Sequence, residues 1–183
     1  IGMIYFTSVS LYSFYGKAAF DFLSLLQLPA SRTLILTHFV AGLSEEILFR
    51  GIVLYGLVRV WGSSKQGIFG SVFLTSLLFA VVHVTQVFTH GVNLSSALIL
   101  ILETLIISIW WGALVLVSKS IWPAVILHFV VNAAVAAQGL TVPVITPEIL
   151  AYNRILLFST PLGIIGIWLL TQVTPRPSLS DAQ

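Results

Sequence analysis

The run Ser44-Glu45-Glu46-Ile47-Leu48-Phe49-Arg50 places two carboxylates and a guanidinium within six positions of an otherwise apolar stretch. Two further polar sets lie downstream. One is His83, in Phe79-Ala80-Val81-Val82-His83, and the other is His128 with Asn132, in His128-Phe129-Val130-Val131-Asn132. A carboxylate, two imidazoles and a carboxamide suit hydrolysis by an activated water. A glutamate assisted by one histidine would take the water's proton, and the second histidine and the asparagine would donate to the oxyanion on the attacked carbonyl. Burial would raise the glutamate pKa toward neutrality, as a base working near pH 7 requires. Two histidines and a glutamate also match a catalytic zinc with three protein ligands and an open position, the set being Glu45, His83 and His128. The chain has no His-Glu-x-x-His run, so no single helix would supply two ligands and a base. Ser44, Ser76 and Ser108 stand near these residues, but none lies in a Gly-x-Ser-x-Gly nucleophile turn.

Helix geometry divides the first set. Glu46 and Arg50 are four apart with the acid first, the favoured order for an intrahelical ion pair. Glu45 sits about 100° round the helix from Glu46 and has no basic residue three or four positions away in either direction. It needs a partner from another helix or from water. Phe79 and His83 share a helix face, as do His128 and Asn132. His38, seven before Glu45, is on nearly the same face two turns away; Glu103 lies about two turns into its helix, and His90 falls in a loop. Each group also has a plainer reading. Glu46 can simply neutralise Arg50, and a single intramembrane histidine or asparagine is commonly a hydrogen-bonded packing residue. Polar groups on three separate apolar helices tend to meet one another, which favours a shared site.

The elements that must position these groups are helices. Six segments are expected, at about 3–28, 33–61, 68–89, 95–118, 122–138 and 148–173, giving an all-α, polytopic transmembrane bundle. The first is broken or bent near Gly16, Lys17 and Asp21. The second, at 29 residues, exceeds the roughly 20 that one span needs. Loops are expected at Gly62–Gly67, at His90–Asn93, at Lys119–Trp122 ahead of Pro123, and at Gly139–Pro147. The reading is one helical domain over 1–173, with a disordered tail at 174–183. No run of about ten residues alternates as a barrel strand would, and no internal repeat is present.

Composition demands the same setting. The 183 residues are 58% hydrophobic and 8% charged, with mean hydropathy +1.06, against the roughly 25% charge of a soluble domain. Such a chain cannot cover a water-facing surface and belongs in a bilayer. Net charge is only +2 and the basic residues are scattered between apolar runs, which excludes a nucleic-acid-binding face. There is no cysteine, hence no disulfide, thiol nucleophile or thiolate-bound metal. The first run lacks the basic stretch and short apolar core of a cleavable signal. Within a span, three charged residues oppose insertion by about 8–10 kcal/mol before any pairing. Residues retained against that cost face the bundle interior and by default mark function.

Taken in order, Glu45-Glu46-x-x-x-Arg50, Phe79-x-x-x-His83 and His128-x-x-x-Asn132 resemble the CPBP family of intramembrane endopeptidases, also called Abi, which includes CAAX prenyl proteases and bacteriocin-processing or self-immunity proteins. Gly51 and Trp122-Pro123-Ala124 add to the likeness, which covers about 33–138. The resemblance implies a membrane-embedded bundle with a cavity open to one face, in a bacterial cytoplasmic membrane. It implies cleavage of a membrane-associated peptide or lipidated protein near the membrane surface. It assigns water activation to Glu45 and His83, oxyanion stabilisation to His128 and Asn132, and supporting roles to Glu46, Arg50 and Phe79. No metal or other cofactor is expected on that reading, zinc on Glu45, His83 and His128 being the alternative. The rival functions are a non-proteolytic scaffold or self-immunity protein, and a transporter; the latter would show an inverted repeat, and none is seen.

Overall fold

A computed structural model describes residues 31–85, 94–141 and 158–177. Among these residues every regular element is helical. α1 (Ser31–Glu46) runs directly into a π-helical segment, π1 (Ile47–Leu54), and then into α2 (Tyr55–Trp61). α3 (Lys65–Val82), α4 (Leu94–Ser118), α5 (Trp122–Thr141) and α6 (Thr160–Gln172) follow. The first expected segment lies outside the described residues, as do the His90 loop, the start of the sixth helix and most of the tail.

Three expectations are refined. The single helix expected across 33–61 is continuous but widens over π1, where backbone bonds reach five residues back and each turn takes an extra residue. The third helix ends at Val82 and not at 89. The fifth continues through Gly139 to Thr141, because one glycine raises the cost of a helix without ending it.

The chain divides into two compact units, unit 1 holding residues 1–44 and 125–146 and unit 2 holding 45–124 and 147–183. Unit 2 has an apolar core of Leu54, Ile68, Val72, Ala113 and Leu170. Against α4, α6 packs through Gly163 and Gly166. A Cβ on Gly166 would stand 2.7 Å from the Trp110 Cα, and one on Gly163 would stand 2.5 Å from the Ile106 Cγ2. Small residues let two backbones approach where lipid offers no hydrophobic drive for helix association. Gly166→Val is therefore expected to destabilise the protein by about 1–3 kcal/mol or more, read as a lower unfolding temperature in detergent, since backbone must move to admit the side chain.

In unit 1, α1 and α5 meet through an edge-on contact of Phe39 and Phe129, ring centroids 5.9 Å apart.

Turn chemistry joins the helices of unit 2 at one end. Ser64 caps α3, its hydroxyl accepting from the Gly67 N–H at 3.0 Å. Lys65 Nζ donates to the Thr171 and Val173 carbonyls at the end of α6. Arg176 donates from Nη2 to the Val58 carbonyl at 2.7 Å and from its backbone N–H to the Gly62 carbonyl. Two cations thus reach carbonyls at two helix C-termini, where the helix dipole also favours them.

Polarity is inverted relative to a soluble protein. Leu36, Ile52, Val60, Phe73, Leu98, Ile164 and Trp168 are exposed, while Glu46, Arg50, Ser71, Thr75, Ser76, Ser108 and His128 are buried. Ser71 and Thr75 return their hydroxyls to the carbonyls of Gly67 and Ser71, so burying them strands no donor. α3 and the Ala97–Ser118 part of α4 are each long and apolar enough to cross a bilayer. The protein is a helical membrane protein.

Candidate active site

Arg50 organises the interior of unit 2. It is 1% exposed, and its Nη1 donates to Glu46 Oε1 at 2.9 Å, Glu46 itself being 0% exposed. The ion pair expected from the spacing therefore forms, across the junction of α1 and π1. Nη2 reaches across to α4, donating to Ser108 Oγ at 2.7 Å and more weakly to the Ser108 carbonyl at 3.4 Å. The guanidinium face lies over two rings, with Cζ 4.6 Å from the Phe79 centroid and 5.5 Å from that of Trp111. A desolvated cation over an aromatic face gains about 2 kcal/mol.

Phe79 links this cation to His83. Buried at 1% exposure, it meets Phe49 edge-on at 4.9 Å, His83 at 4.7 Å and Trp111 at 6.3 Å. The E-E-x-x-x-R and F-x-x-x-H motifs are thus physically coupled, with Arg50 and the imidazole both packed on one ring.

His83 is not mid-helix, as the sequence pattern suggests, but is the C-cap of α3. The last four carbonyls of a helix have no partner in their own ladder. Here the His83 N–H bonds the Ala80 carbonyl at 3.1 Å and the Val84 N–H bonds the Val81 carbonyl at 3.0 Å, tightening the final turn. Thr85 Oγ1 donates to the Val82 carbonyl. The Phe79 carbonyl, released by that tightening, receives His83 Nδ1 at 2.8 Å. A carbonyl only accepts, so Nδ1 carries the hydrogen and Nε2 keeps its lone pair in the neutral ring. The helix end thereby fixes both ring orientation and tautomer. Phe79→Leu, which removes the ring but keeps most of the volume, is expected to lower the unfolding temperature. The full truncation Phe79→Ala should cost about 3–5 kcal/mol.

Glu45, half-buried, precedes Glu46 at the start of unit 2. His128 and Asn132 belong to unit 1, one turn apart on α5, the histidine buried and the asparagine half-buried. Gly42 on α1 makes room for this histidine. A Cβ there would lie 3.5 Å from the Phe129 N and 3.6 Å from His128 Cγ, so a methyl fits in ordinary contact and a larger side chain meets the imidazole. His38 and Glu103 are half-buried; His90 lies outside the described residues.

Two of the three serines are occupied otherwise. Ser44 Oγ donates to the Val40 carbonyl of its own helix, and Ser108 receives Arg50. Among the described residues no group of three or more His, Asp or Glu is arranged to hold a metal ion.

Sequence reasoning overlooked Gly42, Ser108 as an Arg50 partner, and Trp111. A glycine within an apolar helix is a visible sign of close approach. For Ser108 and Trp111, three apart on α4, no sign separates them from ordinary span residues.

A buried ion pair and an oriented imidazole are thus carried on apolar helices. A family model described as type II CAAX prenyl endopeptidase Rce1-like matches residues 28–134. The match covers more than half of the chain and all three motifs, and the chain belongs to that family of intramembrane proteases. Comparisons with curated proteins and with solved structures give no match.

Proposed function

We infer that the protein is a multi-pass endopeptidase of the bacterial cytoplasmic membrane, cleaving a peptide bond in a membrane-associated or lipidated substrate. The family description makes a prenylated C-terminal peptide the first candidate substrate. Glu45 takes the proton of the attacking water, and His83 assists through Nε2. The water oxygen bonds to the scissile carbonyl carbon, and the carbonyl oxygen becomes an oxyanion that accepts hydrogen bonds from His128 and Asn132. Collapse of the intermediate breaks the C–N bond, and the proton held by Glu45 passes to the leaving amine. Glu46, Arg50 and Phe79 support this chemistry without touching substrate.

The observation that carries the reading is the bond from His83 Nδ1 to the Phe79 carbonyl, which leaves Nε2 as a fixed proton acceptor at a helix end. The reading is metal-free. Zinc on Glu45, His83 and His128 is the alternative, since the neutral Nε2 of His83 is equally a ligand type.

The test needs no assumption about substrate. Wild type and Glu45→Gln are expressed in membranes of a strain lacking the protein, and new protein termini are catalogued by mass spectrometry. Termini present with wild type and absent with Glu45→Gln are expected, and they name the cleaved bond. Identical catalogues from equally abundant, folded proteins would favour a non-proteolytic scaffold or self-immunity protein.

A further inference from the structure

Unit 2 holds two cavities that the proposed chemistry does not use. One, of about 370 Å³, runs from Arg50 and Gly51 past Leu54, Val58, Val115 and Leu116 to Lys119. The other, of about 460 Å³, is bounded by Ile68, Val173, Arg176 and Gly62, and shares Val58, Leu116 and Lys119 with the first. Lys119 therefore stands where the two meet.

Lys119 is unusual on two counts. It directly follows α4 with φ 55°, and among the described residues it is the sole non-glycine with positive φ. The position after a helix commonly takes this conformation, but glycine is its usual occupant because it bears no Cβ penalty. The backbone thus favours glycine, and the structure has a lysine. Its side chain is exposed and has no hydrogen-bond or ion-pair partner among the described residues. The turn holding it is built independently, with Ser118 Oγ donating to the Ser120 carbonyl and the Trp122 N–H donating to Ser120 Oγ.

The surroundings fix what an occupant must be. Arg59, Lys65, Lys119 and Arg176 flank the helix ends and the linking turns at this end of unit 2, and no described acid accompanies them. Tyr55, Trp61 and Trp122 are exposed at the same end, as aromatic residues are at headgroup level. The smaller cavity is mostly aliphatic. Along α4 it reaches from Lys119 toward Arg50, whose contact Ser108 is eleven residues back, roughly 16 Å at the helical rise.

We propose that these cavities seat an anionic phospholipid, its phosphate held by Lys119 and Arg176 and an acyl chain filling the groove of Leu54, Val58, Val115 and Leu116. Arg176 anchors the tail through Nη2 to Val58 and keeps its other donors for phosphate oxygens. A zwitterionic lipid would bring a second cation to a rim that already carries several.

The experiment uses the full chain purified in detergent, with lipid retention read by native mass spectrometry against added phosphatidylglycerol, phosphatidylcholine or glycerol phosphate. Phosphatidylglycerol should be retained preferentially by wild type. Lys119→Gly suits the backbone and should not lower the unfolding temperature in phosphatidylcholine, yet it should weaken phosphatidylglycerol retention about five-fold, one cation's share. Val115→Trp, which fills the groove and spares both cations, should weaken it as well. Equal retention by wild type and Lys119→Gly, or equal retention of the two lipids, would overturn the proposal. Competition by glycerol phosphate as effective as by the whole lipid would show a phosphate site without a chain groove and would also overturn it.

Discussion

Glu45→Gln should reduce proteolysis by two to four orders of magnitude with little change in unfolding temperature, whereas the main effect of Glu46→Gln should be a lower unfolding temperature. The magnitude is the ordinary contribution of a positioned general base. The two residues are neighbours of the same type, so composition and depth do not distinguish them. Geometry does. Glu46 is fully buried and bonded to Arg50, and neutralising it leaves only the more distant influence of Glu45 to offset a buried guanidinium. Glu45 is only half-buried, and Arg50 donates its short carboxylate bond to Glu46. The amide introduced by Glu45→Gln keeps the size of the side chain but cannot take a proton from water. The check is a pair of measurements on each variant: unfolding temperature in detergent, and cleavage rate of a prenylated peptide in proteoliposomes. A Glu45→Gln protein that cleaves at the wild-type rate would remove Glu45 from the chemistry. A Glu46→Gln protein that is inactive yet as stable as wild type would exchange the two roles.

Residue spacing carried far into the interior, and where it stopped has a physical reason. The order and approximate limits of α1 to α2, α4 and α5 follow from apolar length and from punctuation by Gly62, Ser63, Ser64 and Pro123. The Glu46–Arg50 pair follows from i,i+4 geometry, which tolerated the wider π turn. The coupling of Phe79 to Arg50 did not follow, because a cation over a ring is a contact between helices and leaves no spacing in either. Ser108 is a candidate nucleophile by residue type and a hydrogen-bond acceptor for Arg50 in the structure, since a hydroxyl looks the same in sequence whatever it bonds. The early end of α3 was hidden for another reason. Val81, Val82 and Val84 continue an apolar pattern straight through the cap, and only backbone bonding shows that the helix closes on His83. That end orients the imidazole, so the feature least visible in the sequence is the one on which the proposed chemistry most depends.

Arg50→Met should destabilise the protein by about 3–5 kcal/mol, and the double variant Arg50→Met with Glu46→Leu should recover most of that loss. Removing one partner of a buried pair strands the other charge in a medium that cannot solvate it. Removing both substitutes packing for a pair whose formation already required desolvating two ions. Ser108→Ala tests the third member; loss of a hydrogen bond to a charged group should cost about 1.5–3 kcal/mol, less than loss of the cation itself. The double variant separates stability from function. Once Arg50→Met has taken the cation from its face, the Phe79 ring that also packs His83 keeps its edge-on contacts with Phe49 and Trp111 but loses the guanidinium that covers it. If the charged network serves the orientation of His83, the double variant should be nearly as stable as wild type in thermal unfolding and still cleave substrate markedly more slowly. Full recovery of both stability and rate would mean that the Glu46–Arg50 pair is a structural fixture that an apolar pair can replace, with no part in orienting His83.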